Sequence, residues 1–367
     1  MFYKTKKTKP KNILRKYIKF KNKNKFRYKL EVNILKYIHH FFDMKLYFLF
    51  FLLFLYFKLN KKRKISKIIF NNNNNIYNNI YNNKTQSDTK VCICVFGKEE
   101  NLYIREYLDH YKNYGVNKIY LYDNNDINGE KFEDVIDDYI KSGFVELANW
   151  RGKDEIQYPI LNECYKKHKD NYDWIMFSEI DEFIHLYNNY STVQSFFDEE
   201  KFNNCSIIYL NLVCHTDNEQ LYYENKPVKE RFPNTVPSSM LGGQRFEIKP
   251  ILRGHLNNIV INCPHRGMLG IKNNCNGFGH FDKFGSIFTT EPDTEYYYYD
   301  HYYGKSTEEF VKKVKKGGGQ YKADAFKLAR IDKYFRENKL TMEKILMLEK
   351  GTGYDLSKYK RKINEKN

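Results

Sequence analysis

A short apolar run that ends in a group of carboxylates is the feature that most restricts the fold of this chain. Residues 174–177 are four apolar residues without polar alternation, and Glu179, Asp181 and Glu182 are among the next five residues. Apolar runs of this length are typical of strands that are buried on both faces, as in the centre of an α/β sheet. Ligands of such sheets bind at the carboxyl ends of the strands. The run therefore predicts a central strand with a ligand site at its end.

The carboxylates at this strand end indicate a bound cation. Their mutual repulsion costs free energy unless a positive charge neutralises it. Glu179 and Asp181 can offer oxygens to Mg²⁺ or Mn²⁺ and leave the other coordination positions to substrate phosphates. A solvated acidic turn is the alternative that this segment alone leaves open.

Strand and helix patterns alternate from residue 90 onward, which predicts a parallel sheet with a nucleotide-type crevice. Strand patterns lie at 90–96, 118–123, 144–147 and 174–177, and helical patterns lie at 101–114, 132–139 and 157–168. Beyond them, 207–213 and 258–262 resemble strands, and the chain has a helical pattern from Thr307. Neither GxGxxG nor GxxxxGK[ST] occurs, so a dinucleotide fold and a Walker-type phosphate loop are not indicated.

The positive charge of the chain is concentrated in its first 90 residues. The chain has 62 Lys and Arg against 45 Asp and Glu, a formal net charge of +17. Residues 1–90 carry 23 basic and three acidic side chains, and the remainder has a net charge of −3. The folded part is therefore not a basic nucleic-acid-binding domain, and no nucleic-acid partner is expected.

The seven cysteines exclude a disulfide scaffold and do not favour structural zinc. No CxxC pair occurs among them, although structural zinc sites commonly use such pairs. One or two disulfides are compatible with an oxidising lumen.

Residues 44–59 have the composition of a membrane anchor. They are almost wholly apolar, lysines lie at their margins, and the basic stretch 61–64 follows. A secretory signal peptide requires a small-residue cleavage site after the apolar stretch, and none follows here. We therefore expect an uncleaved signal anchor that contacts the membrane, with lysine stems reaching the interface.

The distribution of lysine and arginine around the anchor predicts its orientation. Residues 1–43 carry 14 basic residues, whereas the segment 58–67 carries six, which favours a cytoplasmic N-terminus. The resulting expectation is a single-pass type II protein of the Golgi or ER with a lumenal catalytic domain. Residues 1–43 would form a basic tail, 60–89 an asparagine-rich stem, 90–350 the catalytic domain and 351–367 a basic C-terminal tail.

Several motifs after residue 90 are collinear with those of a known family. The sequence resembles glycosyltransferase family 92 and related family 2-like enzymes, whose opening motif is similar to Lys98–Glu100. The other matching positions are Arg105, Glu106, Tyr107, His110, Tyr111, Gly115, Val116, Tyr122, Asp123, Asn124, Gln157, Cys164, Trp174, Asp181, Glu182, Phe183, Glu230, Arg231, Phe232, Lys249, Pro250, His301, Tyr302, Lys305 and Ser306. Glu99 and Glu179 depart from the family pattern, which has Asn and Asp there. The resemblance covers about residues 90–320 and implies an α/β fold of the GT-A type, a Rossmann-like and mostly parallel sheet.

The resemblance also implies an activity and a cofactor. It implies transfer of a sugar, with galactose as the family-level expectation, from a nucleoside diphosphate donor to a hydroxyl of a glycan or glycoprotein. A divalent cation, Mn²⁺ or Mg²⁺, would neutralise the leaving diphosphate. Asp181 is the first expected ligand, Glu179 the second and His301 the third.

Inversion at the anomeric centre, which is the expected outcome, requires a general base that takes the acceptor proton. Asp217 is the first candidate for this base, and Glu219 and then His265 come after it. The expected contacts to the donor are made by Lys98, Glu100, Arg105, Asp123, Asn124, Gln157 and Lys305.

Two other functions are compatible with parts of the pattern. A membrane-tethered carbohydrate-binding module would use the aromatic residues for sugar stacking and would not need the acidic strand end. A metal-dependent phosphate-ester hydrolase calls for a denser set of His and Asp ligands, whereas the histidines here are scattered.

Overall fold

The described part of the chain begins just before the predicted first strand. The computed structural model describes residues 88–187, 190–237, 239–240, 245–263, 265, 271–281, 288–289, 293–317 and 324–365. Within these ranges, no helix combines the length and the apolar character that a membrane crossing requires. The anchor expected at 44–59, the tail before it and nearly all of the stem after it lie outside the described residues.

A mixed sheet forms the centre of the fold. Its main strand order is β3-β2-β1-β4-β9-β6-β12-β5, and four short strands pair with β6 or β9 at its margin. The strands are β1 Val91–Gly97, β2 Lys118–Asp123, β3 Val145–Asn149, β4 Trp174–Phe177, β5 Glu182–Leu186, β6 Ile207–His215, β7 Thr235–Pro237, β8 Ser239–Met240, β9 Arg245–Arg253, β10 Asn274–Asn276, β11 Phe288–Thr289 and β12 Tyr297–His301.

The carboxyl ends of the parallel strands meet at one edge of this sheet. β1 pairs in parallel with β2 and β4, and β2 pairs in parallel with β3. β9 is antiparallel to both β4 and β6, and β12 is parallel to β6, so β12 runs in the same direction as β4. The predicted alternation of strands and helices is thus confirmed for the first four strands, and the complete sheet is mixed.

Helices cover both faces of the sheet, and each face has its own apolar core. The helices are α1 Ile104–Asn113, α2 Glu133–Lys141, α3 Gln157–His168, α4 Val193–Phe197, α5 Val228–Arg231, α6 Thr307–Lys316, α7 Asp324–Glu337, α8 Met342–Thr352 and α9 Ser357–Asn364, with a 3-10 turn at Glu200–Phe202. Alternate residues of β1 show the two faces, because Ile93 packs with α1 and α2 whereas Cys92 packs with α3. This alternation is what a strand buried on both sides requires.

A third apolar cluster joins the C-terminal helices α6 to α9. Its members include Phe310, Ile331, Leu348 and Tyr359, all of which are buried. The expected basic tail over 351–367 therefore differs from the structure. Four of its basic residues, Lys358, Lys360, Arg361 and Lys362, lie on α9, and Tyr359 anchors this helix in the cluster, so most of the segment belongs to the folded domain.

Two disulfides cross the fold. Cys94 of β1 is bonded to Cys164 of α3, and Cys205, just before β6, is bonded to Cys275 of β10. Each bond closes a loop with a sequence separation of 70 residues. Both disulfides link core elements, and their number agrees with the one or two that the sequence allows.

Residues 245–263 contain one strand that the sequence pattern did not predict and one predicted strand that does not form. The first, β9, lies in the middle of the sheet although proline, here Pro250, is rare in central strands; β4 pairs only with residues 251–253, so the proline lies beyond that pairing. The strand expected at 258–262 is absent, and the chain there is a loop in which the Ile261 N–H donates to Asn162 Oδ1 at 2.8 Å.

Candidate active site

A cleft opens at the sheet edge where the parallel strands end. The turns after β1, β2, β3 and β4 line one side of it, and the end of α6 with Arg330 of α7 lines the other. Its described lining includes the basic residues Lys98, Lys153, Lys313, Lys316 and Arg330 and the acidic residues Glu100, Asp154, Glu155, Glu179 and Asp181. The position is the one at which open α/β sheets bind ligands.

Asp181 is the buried carboxylate of this cleft. Only 6% of the residue is exposed, and Lys313 Nζ donates to its Oδ2 at 2.6 Å. Burial by itself raises the pKa of Asp181, but Lys313, His301 and Lys305 together outweigh it and keep the pKa well below its usual range. Asp181 is therefore an anion at neutral pH, as a cation ligand must be.

His301 lies beside Asp181 at the end of β12. Its Nε2 is 3.8 Å from Asp181 Oδ1 and is buried without a hydrogen-bond partner among the described atoms. Burial lowers the pKa of His301 to about 3, so the imidazole is neutral. A neutral ring nitrogen with no partner, next to a carboxylate, fits a metal ligand.

Glu179 has a different partner from the other two expected ligands. Lys249 Nζ lies 3.3 Å from Glu179 Oε1 and 2.8 Å from Glu182 Oε1. Burial lowers the pKa of Lys249, but the two glutamates outweigh it and raise the pKa above its usual value. No group of three or more His, Cys, Asp or Glu side chains in the described residues is placed to hold a metal. The structure thus brings together two of the three expected ligands, Asp181 and His301.

Three of the residues expected to contact the donor line the cleft. Lys98 Nζ donates to Asp126 at 2.6 Å, and Glu100 accepts from Lys316. The Asn124 side chain donates to the backbone oxygen of Lys153 at 3.0 Å. These contacts hold the turns after β1, β2 and β3 against each other and against α6.

Lys305 lies in a second hollow beside the cleft, and Lys313 and Lys316 line both. Lys305 is 6% exposed, and its Nζ lies 4.1 Å from the centroid of the Tyr103 ring. Burial lowers the pKa of Lys305. Among the described residues, no carboxylate forms an ion pair with it, so its ammonium is available to an anionic ligand.

The structure gives Arg105, Asp123 and Gln157 positions outside the cleft lining. Arg105 bonds to both carboxylate oxygens of Asp138 on α2, at 2.8 and 3.0 Å. Asp123 is buried and accepts from Arg151 at 2.8 Å, which fixes the turn after β2. Gln157 is the first residue of α3.

The three candidate bases, Asp217, Glu219 and His265, also lie outside the described cleft lining. Asp217 is 1% exposed, and its Oδ2 forms an ion pair with Lys344 Nζ at 2.5 Å and accepts a hydrogen bond from the Tyr334 hydroxyl at 2.6 Å. Glu219 is an exposed residue of the same turn and pairs with Lys339 at 2.8 Å. Because its oxygens bind the C-terminal helices, Asp217 has a structural role in this fold.

Lys313, Lys316 and Arg330 are charged residues of the site that the sequence does not reveal. Lys313 and Lys316 are three positions apart and therefore share one face of α6. That spacing could have indicated a basic helix face. However, lysines near the end of a helix are usually solvated and stabilise its carboxyl end. Their orientation toward the strand ends depends on how α6 packs.

A family profile and a curated relative name the same family. The profile of glycosyltransferase family 92 matches residues 87–339. A glycosyltransferase family 92 protein from Oryza sativa subsp. japonica is 26% identical over 116 residues, which are 31% of this chain and 18% of that protein. The match thus spans less than a fifth of the length of this curated relative.

Two solved structures show more distant similarity. The 1–349 fragment of S. aureus TarS in complex with UDP-GlcNAc is 13% identical, with a TM-score of 0.35, and the match covers 72% of this chain and 80% of that chain. The mannosyltransferase PcManGT from Pyrobaculum calidifontis, in complex with GDP-Man and Mn²⁺, is 9% identical, with a TM-score of 0.32 and coverage of 74% and 77%.

Proposed function

This chain belongs to glycosyltransferase family 92, and we propose that it transfers a sugar from a nucleoside diphosphate donor to an acceptor hydroxyl on a GT-A type fold. One observation carries the proposal beyond the family. Asp181, a buried anion at the end of β4, lies in a cleft with five basic side chains among its lining. A site that combines a carboxylate with several cations suits a ligand that brings a divalent metal and a diphosphate together.

The basic residues would bind the diphosphate of the donor. Lys98, Lys313, Lys316 and Arg330 line the cleft, and Lys305 lies in the adjoining hollow. Their charges would stabilise the leaving diphosphate as the bond to the sugar breaks. Asn124, in the turn after β2, would contact the nucleoside part of the donor.

Asp181 and His301 would hold Mn²⁺ or Mg²⁺. The neutral imidazole and the ionised carboxylate are 3.8 Å apart, and phosphate oxygens would complete the coordination, as is common for these cations. When bound, the cation supplies positive charge for the departing diphosphate. Glu179, held by Lys249, would support Asp181 from the neighbouring position.

Galactose as the donor sugar, a glycan or glycoprotein as the acceptor, and inversion at the anomeric centre complete the proposal. Family membership supports the class of reaction, and these finer points are tested separately. Proton NMR of the product, recorded at early turnover, reports the anomeric configuration directly. A product with the donor's own configuration would exclude inversion.

A lumenal location behind a type II anchor is proposed for the catalytic domain. The two disulfides support it, because such bonds persist mainly in oxidising compartments. Asn204 is an exposed asparagine in an Asn-Cys-Ser sequon. When both proteins are expressed in cells and treated with an endoglycosidase, the gel mobility of the wild type should change by one more glycan than that of Asn204→Gln. A domain that is digested by protease in sealed microsomes would contradict this location.

Donor turnover tests the catalytic proposal. The purified chain is incubated with a panel of nucleotide sugars, with Mn²⁺ or EDTA, and release of nucleoside diphosphate is measured. We expect one donor to be turned over, only with the cation. Asp181→Asn should lower this rate at least about a hundredfold, a loss comparable to that of a key electrostatic group.

Asp137→Asn is the matched control, since Asp137 forms an exposed ion pair with Lys141 on the outer side of α2. It removes one carboxylate as well and should leave turnover unchanged. If no donor is turned over and no nucleoside diphosphate binds with the cation, the transferase proposal fails. Cation-independent binding of a glycan would then favour the carbohydrate-binding module.

A further inference from the structure

We propose that Lys313 occupies the cation site of the empty enzyme and moves to the donor diphosphate when metal and donor bind. This inference rests on the proposed function, because it assigns a role to a residue of the same site. Neither the family motifs nor the acidic strand end points to Lys313. Its role follows from its contacts at the end of α6.

The Lys313 ammonium is held at Asp181 by three contacts. Its Nζ lies 2.6 Å from Asp181 Oδ2 and 3.0 Å from the backbone oxygen of Tyr303. It also lies 4.3 Å from the centroid of the Tyr303 ring. The side chain is 16% exposed and that of Asp181 is 7% exposed, so this ion pair is largely shielded from water.

A divalent cation and this ammonium compete for the same carboxylate. A metal would lie about 2.1 Å from a carboxylate oxygen, and the ammonium already lies 2.6 Å from Oδ2. The two positive charges would be a few ångströms apart in a partly buried site, where repulsion is strong. The metal therefore binds productively only after Lys313 leaves Asp181.

The surroundings of α6 give the released ammonium a new partner. Lys316, one turn further along the helix, already pairs with Glu100 across the cleft. Lys305 lines the second hollow and Arg330 lines the cleft, and Lys313 lines both. A diphosphate among these cations presents several anionic oxygens, and the flexible lysine stem lets the ammonium follow them over a short distance.

Metal and nucleotide binding should consequently be coupled. The empty enzyme has a low affinity for the metal because Lys313 neutralises Asp181. The diphosphate raises this affinity because Lys313 pairs with its oxygens instead. By thermodynamic linkage, the metal must strengthen nucleotide binding by the same factor.

Mn²⁺ titration in the absence of nucleotide tests the competition, with electron paramagnetic resonance of free Mn²⁺ as the readout. Lys313→Met keeps the length of the side chain and removes the charge, so it should bind Mn²⁺ at least tenfold more tightly than the wild type. Lys315→Met is the matched control, because Lys315 is an exposed residue of the same helix. It should bind Mn²⁺ as the wild type does.

A second titration uses UDP and GDP with saturating Mn²⁺. Lys313→Met should bind the accepted nucleotide at least tenfold more weakly than Lys315→Met, because the diphosphate has lost one cation. Unchanged Mn²⁺ affinity or unchanged nucleotide affinity in Lys313→Met would overturn the proposal. If that variant does not fold, the wild type decides it: the accepted nucleotide must tighten Mn²⁺ binding at least tenfold, and an absence of coupling overturns it.

The Asp181→Asn variant separates this inference from the proposed function. Suppose that Mn²⁺-dependent nucleotide binding requires Asp181, but Lys313→Met has the same Mn²⁺ and nucleotide affinities as the wild type. This result would overturn the role of Lys313 and leave the proposed transferase function standing. If the wild type shows no Mn²⁺-dependent nucleotide binding, both the role of Lys313 and the proposed transferase function are overturned.

Discussion

The buried charges of this protein fall into two groups with different consequences. Pairs such as Arg231 with Glu309, at 2.8 Å, and Lys344 with Asp217, at 2.5 Å, are enclosed within the protein. Asp181 and Lys313 instead border the cleft. Removal of one partner from an enclosed pair leaves an uncompensated buried charge. We therefore expect the first group to determine stability and the second to act in ligand binding.

Asp217→Asn should lower stability and spare catalysis. The substitution leaves the ammonium of Lys344 buried without its anion, which typically costs about 3–5 kcal/mol. Chemical denaturation of the variant should show this loss in the free energy of unfolding. At a temperature where the variant is folded, turnover per folded molecule should stay within about threefold of the wild type, a shift of less than 1 kcal/mol in the barrier.

Glu219→Gln is the companion substitution, because Glu219 lies in the same turn but forms an exposed pair with Lys339. Its stability should be close to that of the wild type. Loss of turnover by several orders of magnitude in folded Asp217→Asn would contradict the structural role and restore the catalytic base that the sequence suggested.

At the scale of elements, α6 connects the cleft to the C-terminal helices. It begins at a capping box formed by Ser306 and Glu309, and the carboxylate of Glu309 also accepts from Arg231. One face of α6 carries the cleft lysines, and another packs against α8 through Val311. The position of the lysines thus depends on the packing of α6 against α8.

Gly351→Ala should disturb this packing. A Cβ at Gly351 of α8 would lie 2.4 Å from Val311 Cγ1, and a valine methyl cannot rotate away cheaply. Alanine is the better helix former by about 1 kcal/mol, but overpacking typically costs about 1–3 kcal/mol. We expect a net loss of stability in chemical denaturation and weaker nucleotide binding.

The double variant Val311→Ala with Gly351→Ala is the control, because it removes the methyl groups that clash. It should recover part of the stability that Gly351→Ala loses. A single variant that is more stable than the wild type would show that α6 and α8 are not in close contact.

At the scale of the whole molecule, buried neutral histidines make stability depend on pH. Burial, together with Lys229, lowers the pKa of His110 to about 3, and burial lowers the pKa of His168 to about 4. In the unfolded chain both take up a proton near pH 6.5. Their contribution to stability is complete above that pH and is lost as the pH falls toward 3–4.

The free energy of unfolding should therefore fall between pH 7 and pH 5, by about 2 kcal/mol from His110 alone. Urea denaturation at a series of pH values measures this slope. His110→Asn should flatten it, whereas His255→Asn, at an exposed histidine, should not. An identical slope in wild type and His110→Asn would exclude the assignment.

The sequence predicted the elements whose patterns are local. β2, β4 and α3 have the bounds that the periodicity gives, Lys118–Asp123, Trp174–Phe177 and Gln157–His168. Their apolar spacing and flanking turns lie within one short window, so no distant contact is needed to recognise them. β9 could not be recognised this way, because its place in the sheet depends on pairing with two distant strands.

For the site, the sequence by itself determined that Asp181 lies at the end of a buried strand, and the family motifs added His301. Only the tertiary structure decided which charges compensate one another. It paired Glu179 with Lys249, enclosed Asp217 with Lys344 and placed Lys313 on Asp181. A local pattern fixes which face of a strand or helix a side chain occupies. Its charged partner comes from a part of the chain as many as 132 residues away, and packing alone brings the two together.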